Sequence, residues 1–156
     1  MHQNFSIRRT TAIDPDFQLL VSQLDHELWD ELKEDQATYD QYNKVSDVET
    51  AIVGYINDKP VACGCFKEYD AAIVEIKRMF VQKTFRGNGL SRRILKALEE
   101  WAMEKAYRFA VLETSIHFAT ARHLYETNNY HLIPNYPPYT GLEESVCMKK
   151  ELKPSS

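Results

Sequence analysis

Val81-Gln82-Lys83-Thr84-Phe85-Arg86-Gly87-Asn88-Gly89-Leu90-Ser91-Arg92 is the stretch that decides the fold. Before it, Ala72-Ile73-Val74-Glu75-Ile76-Lys77-Arg78-Met79-Phe80-Val81 is rich in β-formers and reads as a long strand. After it, Leu90, Ile94, Leu95, Leu98, Trp101 and Ala102 fall on one face of a helix of about four turns, with Arg92, Arg93, Lys96, Glu99 and Glu100 elsewhere around it. A strand therefore ends, two glycines separated by one residue make a tight turn, and a helix begins at once. The first N–H groups of a helix have no partner inside it. Glycine lets a ligand approach the main chain closely, and the helix dipole favours negative charge, so the turn suits a phosphate. The dinucleotide fingerprint G-x-G-x-x-G is excluded because Arg92 stands where its third glycine belongs and the turn does not follow the first strand, and the loop G-x-x-x-x-G-K-[ST] is absent.

Outward from the turn, Phe5 to Thr10 reads as a short strand, and Asp14 caps a helix whose first position is Pro15. Phe17, Leu20, Val21, Leu24 and Leu28 form its buried stripe. Glu31 to Asp47, polar and rich in Tyr and Gln, reads as a loop with a short helix. Thr50 to Ile56 and Val61 to Tyr69 form a hairpin about Asn57-Asp58-Lys59-Pro60, and Asp70-Ala71 connects it to the long strand. Arg108 to Thr114 is a buried strand, so the strand, helix and strand around the turn make a right-handed crossover between parallel strands. Ala119 to Asn128 is a shorter helix, and His131 to Pro134 and Val146 to Glu151 are closing strands. The expected fold is α/β (α+β): a mixed, mostly antiparallel sheet of six or seven strands with helices on both faces, in a single domain over residues 1–156 with a flexible tail at 152–156.

With 156 residues, 44% hydrophobic and 27% charged, the chain suits one compact domain and not two. No repeat is visible, and Gly and Pro number 5 and 6, which excludes a solenoid and a long linker. Lys plus Arg is 19 against 23 for Asp plus Glu, a net charge of −4 that argues for no nucleic-acid and no anionic-membrane partner. Position changes the meaning of that sum. Lys77, Arg78, Lys83, Arg86, Arg92, Arg93 and Lys96 occupy the span between Glu75 and Glu99 with no acidic residue among them, and setting those seven aside leaves a remainder of −11. The chain is an acidic body with one basic, phosphate-sized edge. Cys63, Cys65 and Cys147 are an odd set without C-x-x-C spacing, which points to buried thiols in a reducing cytoplasm. The N-terminus lacks an apolar signal core, the apolar runs fall far short of the roughly 20 residues that span a bilayer, and His26, His123 and His131 lack metal-ligand spacing. A soluble, cytoplasmic protein without a metal is expected.

Three segments carry a resemblance: Glu75-Ile76-Lys77-Arg78-Met79-Phe80-Val81, Arg86-Gly87-Asn88-Gly89-Leu90-Ser91, and Ala121-Arg122-His123-Leu124-Tyr125-Glu126-Thr127-Asn128-Asn129-Tyr130. Together they resemble the GNAT superfamily of N-acetyltransferases, over residues 50–151. The resemblance implies a GNAT-like acetyltransferase fold, acetyl-CoA as co-substrate, no metal, and direct attack by a primary amine of a small molecule, amino acid derivative or peptide. The family's pyrophosphate motif [Q/R]-x-x-G-x-[G/A] falls on Arg86, Gly89 and Ser91, and Ser91 departs from it. A second departure is Phe118, where many members carry Asn. By resemblance the cofactor residues are Met79, Phe80, Val81, Arg86, Gly87, Asn88, Gly89, Leu90, Ser91 and Ala121.

A lysine-like amine has a free pKa of about 10.4, so a base must take its proton at neutral pH. The resemblance gives that role to Glu75. The alternative is that Glu75 and Lys77, two apart on a strand, share a face and pair. The resemblance implies that a backbone N–H near Met79 or Phe80 serves the developing oxyanion, while ordinary core packing is the other reading of both side chains and is compatible with it. Tyr125, four after Ala121, is the family's proton donor to the leaving thiolate, with core filling as its alternative role. His117 reads as a solvated loop histidine. On the acceptor side, Pro134-Asn135-Tyr136-Pro137-Pro138-Tyr139-Thr140-Gly141 is a stiff, aromatic loop expected to face the region Glu31 to Asn43; Tyr136, Tyr139, Glu143 and Glu144 suit a cationic or polar amine, with turn forming and lid packing as the alternative for Pro and Tyr. Two other functions compete: an acyltransferase with a different acyl donor or acceptor, and a non-catalytic acyl-CoA-binding or regulatory module. Monomer and homodimer both remain open.

Overall fold

A computed structural model describes residues 4–32 and 47–154. Seven strands, β1 (Phe5–Thr10), β2 (Ala51–Ile56), β3 (Lys59–Asp70), β4 (Ile73–Val81), β5 (Phe109–Ser115), β6 (His131–Ile133) and β7 (Ser145–Glu151), form one sheet in the order β1-β2-β3-β4-β5-β7-β6. Among the described residues the helices are α1 (Pro15–Leu32), α2 (Leu90–Glu104) and α3 (Ala119–Thr127). Pairing is antiparallel for β1 with β2, β2 with β3, β5 with β7 and β6 with β7. The expected crossover is present: β4 and β5 pair in parallel over Ile73–Glu75 and Phe109–Val111, and both strands continue past that register.

The chain divides into two compact units, Met1–Lys67 with Lys77–Leu98, and Glu68–Ile76 with Glu99–Ser156. In the first, α1 lays Phe17 and Leu20 against Ala51, Val53, Cys63, Cys65 and Phe80. The opposite face receives α2: a Cβ on Gly64 would come 2.7 Å from the Met79 sulfur and 2.9 Å from a Leu98 methyl. Helices thus lie on both faces of this unit's strands, as the sequence predicts. The hairpin turn is tighter than expected. Asn57 and Asp58 both adopt left-handed backbone, φ 51° and 66°, and Ile56 pairs directly with Lys59, so Lys59 and Pro60 belong to β3. Two left-handed residues are what a two-residue hairpin needs to match strand twist.

In the second unit, Ala110, Leu112, Val146 and Met148 are buried, and Glu99 is held by the Tyr130 hydroxyl and the Lys150 ammonium, each at 2.8 Å. Leu152 is buried and its N–H donates to the Arg108 carbonyl at 2.8 Å, which corrects the expected tail: Leu152 is packed. The expected loop at Glu31 to Asp47 is shortened at its start by α1, which reaches Leu32; residues 33–46 lie outside the described residues.

Asp14 begins α1 as expected. Its Oδ1 accepts the Asp16 N–H at 2.8 Å, its carbonyl accepts the Gln18 N–H at 2.9 Å, and Oδ2 accepts from the Thr10 hydroxyl at 2.8 Å and from Arg8. Burial works to raise the Asp14 carboxyl, but the hydrogen bonds from Thr10, the Asp16 N–H and Arg8 outweigh it and hold the group below its ordinary value. Its contribution to stability is therefore full above the unfolded carboxylate value of about 3.9 and is lost as pH falls through the lower folded value. Asp14→Ala should lower the unfolding free energy at pH 7 by about 1 kcal/mol in urea titrations, a difference that shrinks in acid.

Candidate active site

The strand-to-helix turn in the first unit has the expected conformation. After Val81, Lys83–Phe85 makes a single 3-10 turn, Gly87 and Gly89 take φ 83° and 75°, and α2 starts at Leu90. The Gly89 carbonyl already accepts the Arg93 N–H at 3.2 Å, which leaves the N–H groups of Leu90, Ser91 and Arg92 without intrahelical acceptors. Among the described residues, no protein acceptor takes the N–H of Gly87, Asn88 or Gly89. A Cβ on either glycine would meet nothing within 4 Å, so the space before the turn is open and the positive φ is what calls for glycine. Asn88 braces the turn from behind through the Phe85 carbonyl at 3.1 Å. The exposed cradle of main-chain donors fits a pyrophosphate.

Arg86 has a different posture from that of a free phosphate ligand. Its Nε donates to the Val81 carbonyl at 2.8 Å, and Nη2 reaches both Glu27 carboxylate oxygens at 2.9 and 2.8 Å. The guanidinium also lies 5.7 Å from the Phe80 ring centroid. Arg78 is tied to Asp25, Gln82 to Gln23 at 2.9 Å, and Arg93 sits 4.6 Å over the Phe5 ring. The basic edge read from the sequence is thus partly compensated by α1.

Arg78 carries a feature with no sequence signal: φ is 58° in the middle of β4. A left-handed non-glycine residue inside a strand marks a bulge. Across from it, the Cys63 thiol donates to the Arg78 carbonyl and the Cys65 thiol to the Lys77 carbonyl, each at 3.4 Å. The two cysteines, read from the sequence as plain buried thiols, are hydrogen-bonded to the strand at its bulge. Of the neighbouring candidates, Phe80, Val81 and Leu90 are buried, and Met79 and Ser91 are half-buried.

The second unit gathers carboxylates and phenols. Glu75 is 3% exposed, and the Tyr136 hydroxyl donates to its Oε2 at 2.7 Å. The Tyr139 phenol is pushed well above its ordinary value by burial and by the charges of Glu75 and Glu113. Glu113 pairs across strands with Cys147 and accepts the Ser145 hydroxyl at 2.7 Å. Burial pushes the Cys147 thiol up to about 11, with Glu113 and Glu75 adding to the effect against a hydrogen bond from the Tyr136 N–H. Glu113, missed from the sequence, shares a sheet face with Glu75 because Glu75 pairs with Val111 and Glu113 stands two residues beyond it. Only the strand register reveals this.

Tyr125 is 7% exposed on α3, with half-buried Ala121 one turn before it. Its ring meets Tyr130 edge-on at 5.8 Å, and burial and then Glu113 raise its phenol well above the ordinary value. Its hydroxyl has no hydrogen-bond partner among the described residues. His117 pairs with Glu144 at 3.1 Å on the surface. Among the described residues no cluster of His, Cys, Asp or Glu is arranged to hold a metal, and no helix is long and apolar enough to cross a membrane.

Residues 15–130 match the family model described as the acetyltransferase (GNAT) family. An IAA acetyltransferase of Azospirillum brasilense is 33% identical over 93 residues, 59% of this chain and 61% of that protein. The uncharacterized N-acetyltransferase YsnE of Bacillus subtilis is 31% identical over 97 residues, 61% of this chain and 64% of its own length. The matched region thus spans less than two thirds of these relatives. Among solved structures, one described as an acyl-CoA N-acyltransferase from Klebsiella pneumoniae superposes with a TM-score of 0.80 at 25% identity, covering 96% of this chain and 98% of that one. A GNAT family acetyltransferase from Elizabethkingia anophelis with acetyl-CoA bound gives 0.68 at 20% identity, covering 97% and 100%.

Cys63, Cys65 and Cys147 are all free and buried. A thiol reagent such as Ellman's should label none of the three in the native protein on the timescale on which it labels all of them in guanidinium, and prompt native labelling of Cys63 or Cys65 would contradict the strand packing at the bulge.

Proposed function

The chain belongs to the GNAT family of acetyltransferases, and from that membership we propose that it transfers acetyl from acetyl-CoA to a primary amine of a small molecule, amino acid derivative or peptide. Tyr125 carries the reading. A buried hydroxyl without a partner costs about 1–3 kcal/mol, and here it stands on the helix where the family places its donor to the departing sulfur. A core-filling phenylalanine would pack without that cost.

Bound acetyl-CoA would supply an acetyl group already activated as a thioester. The N–H groups of Gly87, Asn88, Gly89, Leu90 and Ser91 hold the pyrophosphate oxygens, with the α2 dipole adding to the attraction. Arg86 contributes mainly by closing the turn, since its guanidinium is engaged by Glu27 and Val81. A main-chain N–H at Met79 or Phe80, beside the bulge at Arg78, holds the carbonyl oxygen as negative charge gathers on it. Val81 and Ala121 line the cofactor arm. Glu75 takes a proton from the acceptor ammonium, directly or through water, the freed lone pair forms the C–N bond as the C–S bond breaks, and the second proton that the nitrogen sheds passes to solvent. Tyr125 keeps its proton at neutral pH and donates it to the sulfur as thiolate charge grows, to be reprotonated from solvent. The products are an amide, a thiol and one net proton. The carboxylates of Glu75 and Glu113 favour a cationic acceptor over an anionic one. Three free thiols support work in a reducing compartment such as the cytoplasm.

Free-thiol release from acetyl-CoA by the purified protein, across a screen of diamines, amino acid amides and peptides, tests the reading. Turnover is expected with a cationic primary amine. Glu75→Gln should lower kcat by about 10²-fold or more. Tyr125→Phe should lower it by about tenfold or more, with the CoA-induced rise in melting temperature preserved in both variants. A thermal shift with CoA but no turnover on any acceptor would favour a non-catalytic binding module, and turnover only with longer acyl-CoA donors or oxygen acceptors would favour the other acyltransferase reading.

A further inference from the structure

The donor that Glu75 accepts at Oε2 comes from Tyr136, 61 residues away in the chain. That hydroxyl is held in place with unusual thoroughness. The Tyr136 ring is met edge-on by Tyr69 at 5.0 Å and by Tyr139 at 5.5 Å. The Tyr69 hydroxyl donates to the Pro137 carbonyl at 3.3 Å, and the Tyr136 N–H donates to the Cys147 sulfur. Asn135, its neighbour, ties the loop to the Leu142 and Ser145 carbonyls at 3.1 Å each. A tyrosine needed only to fill space would not require its oxygen to be fixed by ring, backbone and neighbour together.

We propose that Tyr136 is a positioning residue for Glu75, fixing the rotation of its carboxylate and donating to its charged form in the acetyl transfer described above. The proposal rests on Glu75 being the base. Burial and the adjacent carboxylate hold the Tyr136 phenol far above its ordinary value, so its proton stays on the phenol oxygen throughout the working range and Tyr136 is always the donor. A carboxylate offers about four lone-pair sites, so accepting from Tyr136 and also from Tyr139 leaves capacity for the amine's proton. The charged and titratable groups about Glu75 include Tyr136 and Tyr139 from the loop, Cys147 on β7, and Glu113 on β5 acting on the same phenol and thiol.

Tyr136→Phe keeps the ring contacts and removes only the donor. It should lower kcat about tenfold, leave the acetyl-CoA KM within about twofold, and move the acidic limb of the kcat/KM profile up by about one pH unit, since losing a donor disfavours the charged carboxylate. Tyr107→Phe removes a phenol hydroxyl that donates to Glu68, outside this network, and should leave the limb in place. In a Glu75→Gln background Tyr136→Phe should cost nothing further, because both act through one group. An unmoved limb and unchanged kcat in Tyr136→Phe, alongside an impaired Glu75→Gln, would overturn the proposal while sparing the base assignment. Multiplying losses in the double variant would also overturn it, assigning Tyr136 a purely structural role. A fully active Glu75→Gln would remove the base assignment and this proposal with it. Should Tyr136→Phe fold poorly, site-specific 3-fluorotyrosine at 136 strengthens the donor and should shift the limb to lower pH; no shift overturns the proposal.

Discussion

Main-chain N–H groups at the start of a helix must find acceptors from outside it, and the remainder of the first unit keeps one such set open. Gly87 and Gly89 hold backbone angles that side-chain-bearing residues rarely adopt, Asn88 ties the turn from behind, and Arg86 draws it back toward Val81. The long helix α1 reinforces the arrangement through Gln23 and Glu27, one turn apart, which reach Gln82 and Arg86. Both ends of the Arg86–Glu27 pair are about two-fifths exposed, so it contributes little to stability. Its effect is on charge: α1 carboxylates at Asp25 and Glu27 neutralise two of the seven basic residues on this edge.

Strand β4 leads into that turn. Over its nine residues it carries Glu75, then the left-handed Arg78, then Phe80 in the core cluster. A left-handed arginine costs roughly 1–2 kcal/mol and persists because its surroundings support it: Asp25 holds the guanidinium, and the Cys63 and Cys65 thiols take up carbonyls at the bulge. In the second unit a comparable expense is met at Glu75, a buried carboxylate given a phenol donor from a stiff, aromatic loop.

What was legible in the sequence was local. The strand, glycine turn and helix around Arg86, the cap at Asp14, and the crossover to Phe109 follow from residue types within a few positions of one another, and each appears in the structure. The hairpin is legible but its turn is shorter than residue types suggest, because Lys59 and Pro60 resemble turn residues while Asn57 and Asp58 suffice. Features that depend on register stayed hidden. Nothing near Glu113 in sequence says that it shares a face with Glu75, and the partner of Glu75 lies 61 residues away at Tyr136, which the sequence marks as an acceptor-side candidate with no link to Glu75. The bulge was illegible for a different reason: its left-handed residue is an arginine, and the thiols that stabilise it look like ordinary small core residues. Likewise Leu152, near the chain end, joins the packed part through a single backbone bond to Arg108 and its own burial.

The central claim is that main-chain amides of the glycine turn hold the pyrophosphate of CoA. Amide NMR of the ¹⁵N-labelled protein, titrated with CoA and separately with pantetheine, tests it most directly. The account predicts that CoA shifts the amide resonances of Gly87, Asn88, Gly89, Leu90 and Ser91 most strongly, and that pantetheine, which lacks the pyrophosphate, leaves them in place. Saturable CoA binding that moves other amides while these five stay unchanged would contradict it.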